Sequence, residues 1–517
     1  MHKGHFKPPT TKSSTTTLPV LALICCGLVT LPAKVQSQSD AEWLAKEMQR
    51  AKAALEEAIP RAAKDTTRPM FHYRPPARWM NDICGAIYYN GWHHVFYQSN
   101  PYHDDQYSGN GWGHARSKDL VHWEELPFAL MPMKHRGEYR CNSGNVALEG
   151  NGRPMIFYTW VPQQGGLRSQ WTAVPLDGDL IRWRRVGGKP IMERGKDGIP
   201  EDKVHPSWSD PYLFKKDGRT FVTFKKVQGM VCEAQDKTLT KWKFLGFMDG
   251  VDGECPNVFE LGNKCVILRS THPLSYLTGK LVLKDDDIRF EAAGPAVTMD
   301  YGFGEHPPTD RNALIRALYG TNAYEDDSGR RIMFGWISGF KNGRGWNGCM
   351  SLPRILTLDK SGQLLQTPAP ELGALRGEHT HAAGLTIASE FKPIKGAEGK
   401  QLEIIAEFIA NSATAFGLKL RSSSDGQRAI TLRYADGTLN VAGTAVPLRP
   451  AGERQPHKLH VFLDQSVIEV FVNDGQTAVT RVEYPGEEDL AVAVFAENGK
   501  ATLKSLDVWQ MKSIWEN

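Results

Sequence analysis

The sequence predicts an all-β protein: a five-bladed β-propeller followed by a C-terminal antiparallel β-sandwich, with a short N-terminal helix ahead of both. Three observations point there. Five stretches share one plan: IYYNGWHHVFY, VALEGNGRPMIFYTW, PYLFKKDGRTFVTF, VFELGNKCVIL and YEDDSGRRIMFGWI. Each is an apolar run, a turn carrying Gly91, Gly152, Gly218, Gly262 or Gly329, and a second apolar run, which is a hairpin signal. A second marker recurs out of phase: Leu120/Trp123, Leu180/Trp183 and Leu239/Trp242 stand 60 and 59 residues apart. A period of that length, with several strands per unit, marks propeller blades. Past the repeats, KLHVFLD and VIEVFVNDGQTAVTRVEY alternate apolar and polar residues around Asn473-Asp474-Gly475, as sandwich strands do. A long sandwich or barrel also accommodates hairpins; the repeat favours the propeller.

The elements follow in order. The 517 residues exceed what one core usually holds, so two or more domains are expected. Residues 1–37 read as a secretory signal peptide. Lys3, Lys7 and Lys12 give a basic start, and Leu18 to Leu31 is apolar but too short to span a bilayer. Val35-Gln36-Ser37 suits cleavage. An uncleaved N-terminal anchor is the alternative. No other stretch is apolar enough to cross a membrane, so the mature chain is expected to be secreted or periplasmic.

Residues 38–66 carry one helix, Ser39 to Ile59. Ser39 and Glu42 form a capping box, and Leu44, Met48, Ala51, Leu55 and Ile59 share one face. Pro60 ends or kinks it. Residues 67–363 form the propeller. Residues 364–384, with Pro368, Pro370 and several glycines and histidines, read as a linker. Residues 385–517 form the sandwich.

Composition narrows the function classes. Hydrophobic residues at 41% and charged residues at 23% belong to a soluble globular chain. A net charge of +4 is too small to point to a nucleic-acid partner. Beyond the signal stand Cys84, Cys141, Cys232, Cys255, Cys265 and Cys349, without zinc spacing, although export would permit disulfides. No His and Cys cluster with ligand spacing and no phosphate loop is apparent, so no metal and no cofactor is expected. Nothing in the sequence speaks to oligomeric state.

Three carboxylates sit in strongly shaped contexts. Asp82 lies in Trp79-Met80-Asn81-Asp82, Asp210 in Trp208-Ser209-Asp210-Pro211, and Glu254 in Gly253-Glu254-Cys255-Pro256-Asn257. Each precedes the first strand of a hairpin. That common phase puts all three at equivalent blade positions facing one central funnel. Taken singly, an Asp before Pro is usually a turn residue and a Glu is usually solvated. Together, like charges raise at least one pKa. A protonated carboxyl beside an ionised one is the equipment of glycoside hydrolysis.

The motifs WMNDICG, FYQSNPY, WGHARSKDLVHW, NSGN, SDP, ECPNVFEL, DYG, FGWI, GWNGCMSLPRILTL and IEVFVNDG, in this order, resemble glycoside hydrolase family 32, the invertase, inulinase and levanase group. The likeness runs from about Phe71 to the C-terminus. It implies a five-bladed propeller followed by a sandwich. It implies Asp82 as nucleophile, Glu254 as general acid/base and Asp210 as transition-state stabiliser. The implied reaction is retaining release of fructose from sucrose or from β-fructan ends. A retaining pair needs its carboxyl groups roughly 5 to 5.5 Å apart. Substrate-binding positions implied by the match are Asn81, Gln98, Trp112 and Ser143, with Ser209 facing the sugar. Trp336, in FGWI, lines the pocket or packs in the core.

The chain departs from the family's pattern at four places. Ile83-Cys84 stand where Pro-Asn is usual after the nucleophile. Ser209 stands where Arg is usual, and Arg would bring a fixed fork of donors. Asn142 replaces an aromatic, and extra residues follow Gly302. These leave open a family member acting on a different furanoside, a fructosyltransferase, or a non-catalytic sugar-binding propeller.

Overall fold

A computed structural model describes residues 39–105, 107–225, 229–302, 318–448 and 457–515. The expected signal segment and the extra loop after Gly302 lie outside these residues.

Each of the five quoted hairpins is the first strand pair of a four-stranded antiparallel blade. Blades I to V occupy 78–130, 138–185, 209–247, 254–292 and 318–368. The first strands of successive blades lie against one another, from I through V and back to I, so the ring is closed. The hairpin glycines hold positive φ, between 58° and 82°, which only glycine adopts freely in a tight turn. The Leu/Trp marker is also structural. Leu120, Leu180 and Leu239 each take a left-handed φ (64°, 57° and 53°) just before the outermost strand of blades I, II and III, which Trp123, Trp183 and Trp242 open. Burial of these leucines to 3% exposure or less holds the turn. In blades II and III the indole N–H also donates to the leucine carbonyl.

The innermost strands share one irregularity. Each pairs normally with its neighbour and then slips register at the pocket end: between Met80 and Ile83, Asn142 and Gly144, Ser209 and Tyr212, Glu254 and Asn257, and Tyr319 and Asn322. These β-bulges release side chains from the strict alternation of a strand and aim them along the axis.

Ring closure is made within blade V. Trp346–Asn347 runs parallel to Arg78–Trp79 of blade I, and Arg78 N donates to the Gly345 carbonyl at 2.7 Å. The N-terminal helix, Asp40–Ala62, is longer than the sequence suggested and includes Pro60 in its last turn, where few backbone bonds remain to be lost. Its buried face is Glu47, Ala51, Leu55, Ala58 and Ala62, while Ile59 is exposed. Small alanines line that face, so the predicted stripe is rotated. Just beyond, Asp65 accepts from the Trp346 indole and from Arg344, both at 2.9 Å.

The expected linker is ordered secondary structure. Leu364–Pro368 is the outermost strand of blade V, Pro370–Leu375 is a 3-10 turn, and Arg376–Ile387 is a sandwich strand paired with Ala501–Met511. Its prolines stand at a strand end and a turn start, where no ladder N–H is required. The sandwich has two layers of six strands, one of them continuous with blade IV through Val297–Asp300, closed over a core that includes Ile404, Leu418, Val461 and Val494.

A fully buried polar cluster joins sandwich to propeller. Arg354 of blade V contacts Asp300 and Glu469, and His72 bonds Asp464 (2.8 Å) and Glu469 (3.1 Å). The six cysteines are free and buried. No helix among the described residues is long and apolar enough to cross a membrane.

Candidate active site

The bulges bring Asp82, Asp210 and Glu254 together at the axis, although 172 residues separate the first from the last. Asp82 and Asp210 are buried, while 39% of the Glu254 side chain is exposed. Cys255 links them: its Sγ lies 3.6 Å from Asp82 Oδ2 and 3.9 Å from Asp210 Oδ2, and its N–H donates to Asp210 Oδ2 at 3.4 Å.

The expected common phase needs correction. Glu254 pairs with Ser270 just as Ser209 pairs with Lys225 and Tyr319 with Trp336. Glu254 is therefore one step ahead of the bulge, at the place of Ser209, and Cys255 takes the place of Asp210. Asp210, Cys255 and Gly320 share left-handed backbone (φ 55°, 41° and 52°). For Asp and Cys that conformation costs of order 1–3 kcal/mol. Gly320 is needed for room: a Cβ there would fall 2.6 Å from Asp82 Oδ1.

A relay supports Asp82. Gln98 Nε2 donates to Ser143 Oγ at 2.5 Å, and Ser143 donates to Asp82 Oδ2 at 2.9 Å. Asn81 Nδ2 donates to Gln98 Oε1 at 3.3 Å, and Asn81 Oδ1 accepts from the Trp79 indole and from Asn110, both at 2.8 Å. Asn81, Gln98 and Ser143 thus form one buried network behind the carboxylate. Burial, then the charges of Asp210 and Glu254, push the Asp82 carboxyl up to about 6, against the opposing pull of Ser143 and Lys225.

The other predicted binding residues are placed differently. Trp112 is fully buried and donates its indole N–H to the Asn142 carbonyl at 3.1 Å, so it braces the pocket wall and offers no ring face to a sugar. Trp336 is buried, packs 5.9 Å from the Trp79 ring, and has no partner for its indole nitrogen. Ser209 Oγ is buried and unpartnered, as is Asp210 Oδ1. Ile83 is buried in the apolar core, while the Cys84 thiol stays beside the site, donating to the Asp82 backbone carbonyl at 3.5 Å and hydrogen-bonded to Ser143. Ile83 packs in an apolar cluster with Val95, Tyr324 and Phe334, and Cys84 in one with Phe96, Trp112 and Cys141. Asn142, in place of an aromatic, accepts from the Tyr107 hydroxyl at 2.9 Å.

Three residues of the site carried no sequence signal. Lys225 is ion-paired with Asp210 (3.5 Å) and with Glu254. Tyr319, in the blade V bulge, is hydrogen-bonded to Glu254 and stacks 4.6 Å from His272. Burial and then Glu254 raise its hydroxyl well above the ordinary tyrosine range. Asn110 completes the network behind Asp82. A strand-end Lys or loop Asn resembles any surface residue until the blades are assembled.

The sequence showed no histidine cluster with ligand spacing, but the fold makes one. On the sandwich, His379 Nε2 and His381 Nδ1 both bond Asp507 Oδ1, at 2.9 and 2.8 Å, and the ligand atoms lie within 4.8 Å of one another. The His-x-His pair falls on a strand where a linker was expected. The two imidazoles share a single carboxylate oxygen of Asp507.

A five-bladed ring with three carboxyl groups on its axis and a sandwich docked behind it defines a glycosidase of the propeller-sandwich class. The comparisons make the assignment specific. Residues 72–368 match the glycosyl hydrolases family 32 N-terminal domain and residues 371–510 the family 32 C-terminal domain, and the chain belongs to that family. Among similar proteins is the sucrose-6-phosphate hydrolase of Escherichia coli, 26% identical over 487 residues, covering 86% of this chain and 95% of that one. The levanase of Bacillus subtilis is 28% identical over 509 residues, covering 87% and 71%. Among solved structures, exo-inulinase from Aspergillus awamori has a TM-score of 0.75 at 22% identity, covering 87% of this chain and 99% of that one.

Proposed function

We propose that this glycosidase releases fructose, with retention, from sucrose or from the ends of β-fructans. The observation that carries the reading is the pairing of a buried, hydrogen-bonded Asp82 with an open Glu254 at one funnel. Asp82 Oδ attacks C2 of the terminal fructosyl unit while Glu254 protonates the departing oxygen. A covalent fructosyl–Asp82 ester results. Glu254, now ionised, takes a proton from water, and that water attacks C2 and restores Asp82. Asp210 Oδ1, unpartnered in the free protein, accepts hydrogen bonds from the sugar hydroxyls. Gln98 acts on Asp82 through Ser143.

The relatives named above are described as acting on a phosphorylated sucrose or on levan, which supports a fructoside in this pocket. Residues 1–37 are read as an export signal, so the mature chain meets its substrate outside the cytoplasm. N-terminal sequencing of the exported protein, beginning near Gln38, is the expected result.

The main test incubates the mature protein with sucrose, inulin and levan and follows the products by NMR. Free fructose, first formed as the β-anomer, is expected from the wild type. Asp82→Ala and Glu254→Ala should yield none. Full activity in Asp82→Ala would remove the mechanism, and cleavage of none of the three sugars would remove the substrate.

A further inference from the structure

Among the described residues, Lys225 is the one cation ion-paired to any of the three carboxyls. It belongs to no motif. It arrives from the pocket end of the second strand of blade III, Arg219–Lys225, directly across the ladder from Ser209. The Ser209 hydroxyl is buried, uncharged and unpartnered, so the charge at this end of the blade comes from the side chain opposite. An ammonium has three donor hydrogens. One faces Asp210 Oδ2 and another Glu254 Oε1, and among the described residues the third has no partner, which suits it to a ligand.

The two contacts have different consequences. Asp210 is 4% exposed, and a buried carboxylate needs a partner at every stage of the reaction. Glu254 has to meet the leaving oxygen, and an ammonium resting on Oε1 occupies that place. We propose that Lys225 is a positioning residue which stays on Asp210 and moves from Glu254 to a hydroxyl of the fructosyl unit when substrate binds, freeing Glu254 for proton transfer. This rests on the fructoside reading of the site.

The charged and titratable neighbours come from all sides. Asp82 lies on blade I, Glu254, Cys255 and His272 on blade IV, and Tyr319 on blade V. From blade II, Arg168 feels the charges of Asp210 and Glu254. From the loop after the second strand of blade I, Tyr107 feels Asp82, Asp210 and Lys225. Of these, Asp82 is the group whose titration reports on Lys225: burial and the two carboxylates push it up, and Lys225 adds to the opposing pull of Ser143.

The test compares wild type, Lys225→Met and Lys225→Arg on sucrose, inulin and levan across pH, and follows the Asp82 carboxyl by 13C NMR without sugar. Lys225→Met is expected to lower kcat/KM about 100-fold, the usual cost of a misplaced reacting pair. Its acid limb and the Asp82 titration should both move to higher pH. Lys225→Arg, which keeps the charge, should hold the limb in place and recover at least about tenfold of the loss. Ser209→Arg added to Lys225→Met should restore part of the activity from the facing strand. If Lys225→Met does not fold, Lys225→Gln takes its place. An unmoved acid limb with kcat/KM within about threefold of wild type overturns the proposal, as does Lys225→Arg performing no better than Lys225→Met. If the wild type cleaves none of the sugars, the substrate reading fails. The NMR titration then decides on Lys225: an unmoved Asp82 signal overturns its role.

Discussion

Ser143 donates its hydroxyl hydrogen to Asp82 Oδ2 across the boundary between blades I and II, at 2.9 Å. The bond favours the carboxylate over the acid. Ser143→Ala should let Asp82 keep its proton to higher pH. The acid limb of kcat/KM is expected to rise above about 6, with about tenfold lower activity at pH 5. A pH–rate profile of the variant checks this, and an unchanged limb would contradict the relay.

In the proposed mechanism Asp82 attacks as a carboxylate, and burial with its acidic neighbours holds its carboxyl up near 6, so kcat/KM should fall about tenfold per pH unit below that value. The same shift acts on stability. The folded state binds this proton more tightly than the unfolded chain, whose value is 3.8. The ionised side chain therefore costs stability that grows as pH rises from 3.8 and is complete above about 6. The difference of about two units corresponds to roughly 3 kcal/mol at most. Asp82→Asn should melt higher than wild type at pH 7.5 and together with it at pH 3.5. Calorimetric melts at the two pH values measure it.

His72 behaves with the opposite sign. Burial alone would lower its pKa, but the bonds to Asp464 and Glu469 outweigh burial and raise it to about 9. Its contribution to stability is fully present below about 6.5 and is lost as pH rises through 9. Wild-type Tm is expected to decline between pH 7 and 9. His72→Gln should be less stable at pH 7 by about 3 kcal/mol and lack that decline, since the group that titrates between those values is gone. A flat wild-type profile would count against a charged His72.

Gly320→Ala sets a methyl group 2.6 Å from Asp82 Oδ1 in a left-handed segment (φ 52°). Either the bulge opens or Asp82 moves. Loss of at least about 100-fold in kcat/KM and a destabilisation of about 1–3 kcal/mol are expected. Steady-state kinetics beside a denaturant titration separate the two effects. Wild-type kinetics would show that the bulge yields without disturbing the carboxyl.

Much of this was written locally in the chain. The hairpin glycines and the Leu/Trp markers each fix a turn through their own backbone angles, so the blade repeat could be read before any tertiary contact was known. Asp82, Asp210 and Glu254 were visible because their flanking residues are so unusual. The one-residue offset of Glu254 was not, since it depends on which residue the bulge of blade IV leaves unpaired. Lys225 and Tyr319 escaped for a similar reason: their significance lies in partners on other blades. The stretch 364–384 misled because proline and glycine mark strand ends as readily as they mark free chain. Ile83 looked like a change beside the reacting atom and turned out to be a packing residue of an apolar cluster, whereas Cys84, packed among Phe96 and Trp112, keeps its thiol on the Asp82 carbonyl.

The seam where Trp346–Asn347 lies along Arg78–Trp79 has a mechanical consequence. Tension applied at the N-terminal helix meets the ring first at Asp65, which holds Arg344 and the Trp346 indole, and then at Arg78, loading that short parallel join before it reaches the longer ladders within the blades. Asp82 follows four residues later on the same strand. Slippage of a few ångströms at the seam would carry the carboxyl out of register with Glu254 while all five blades stayed folded. Under force, the molecule should fall silent before it unravels.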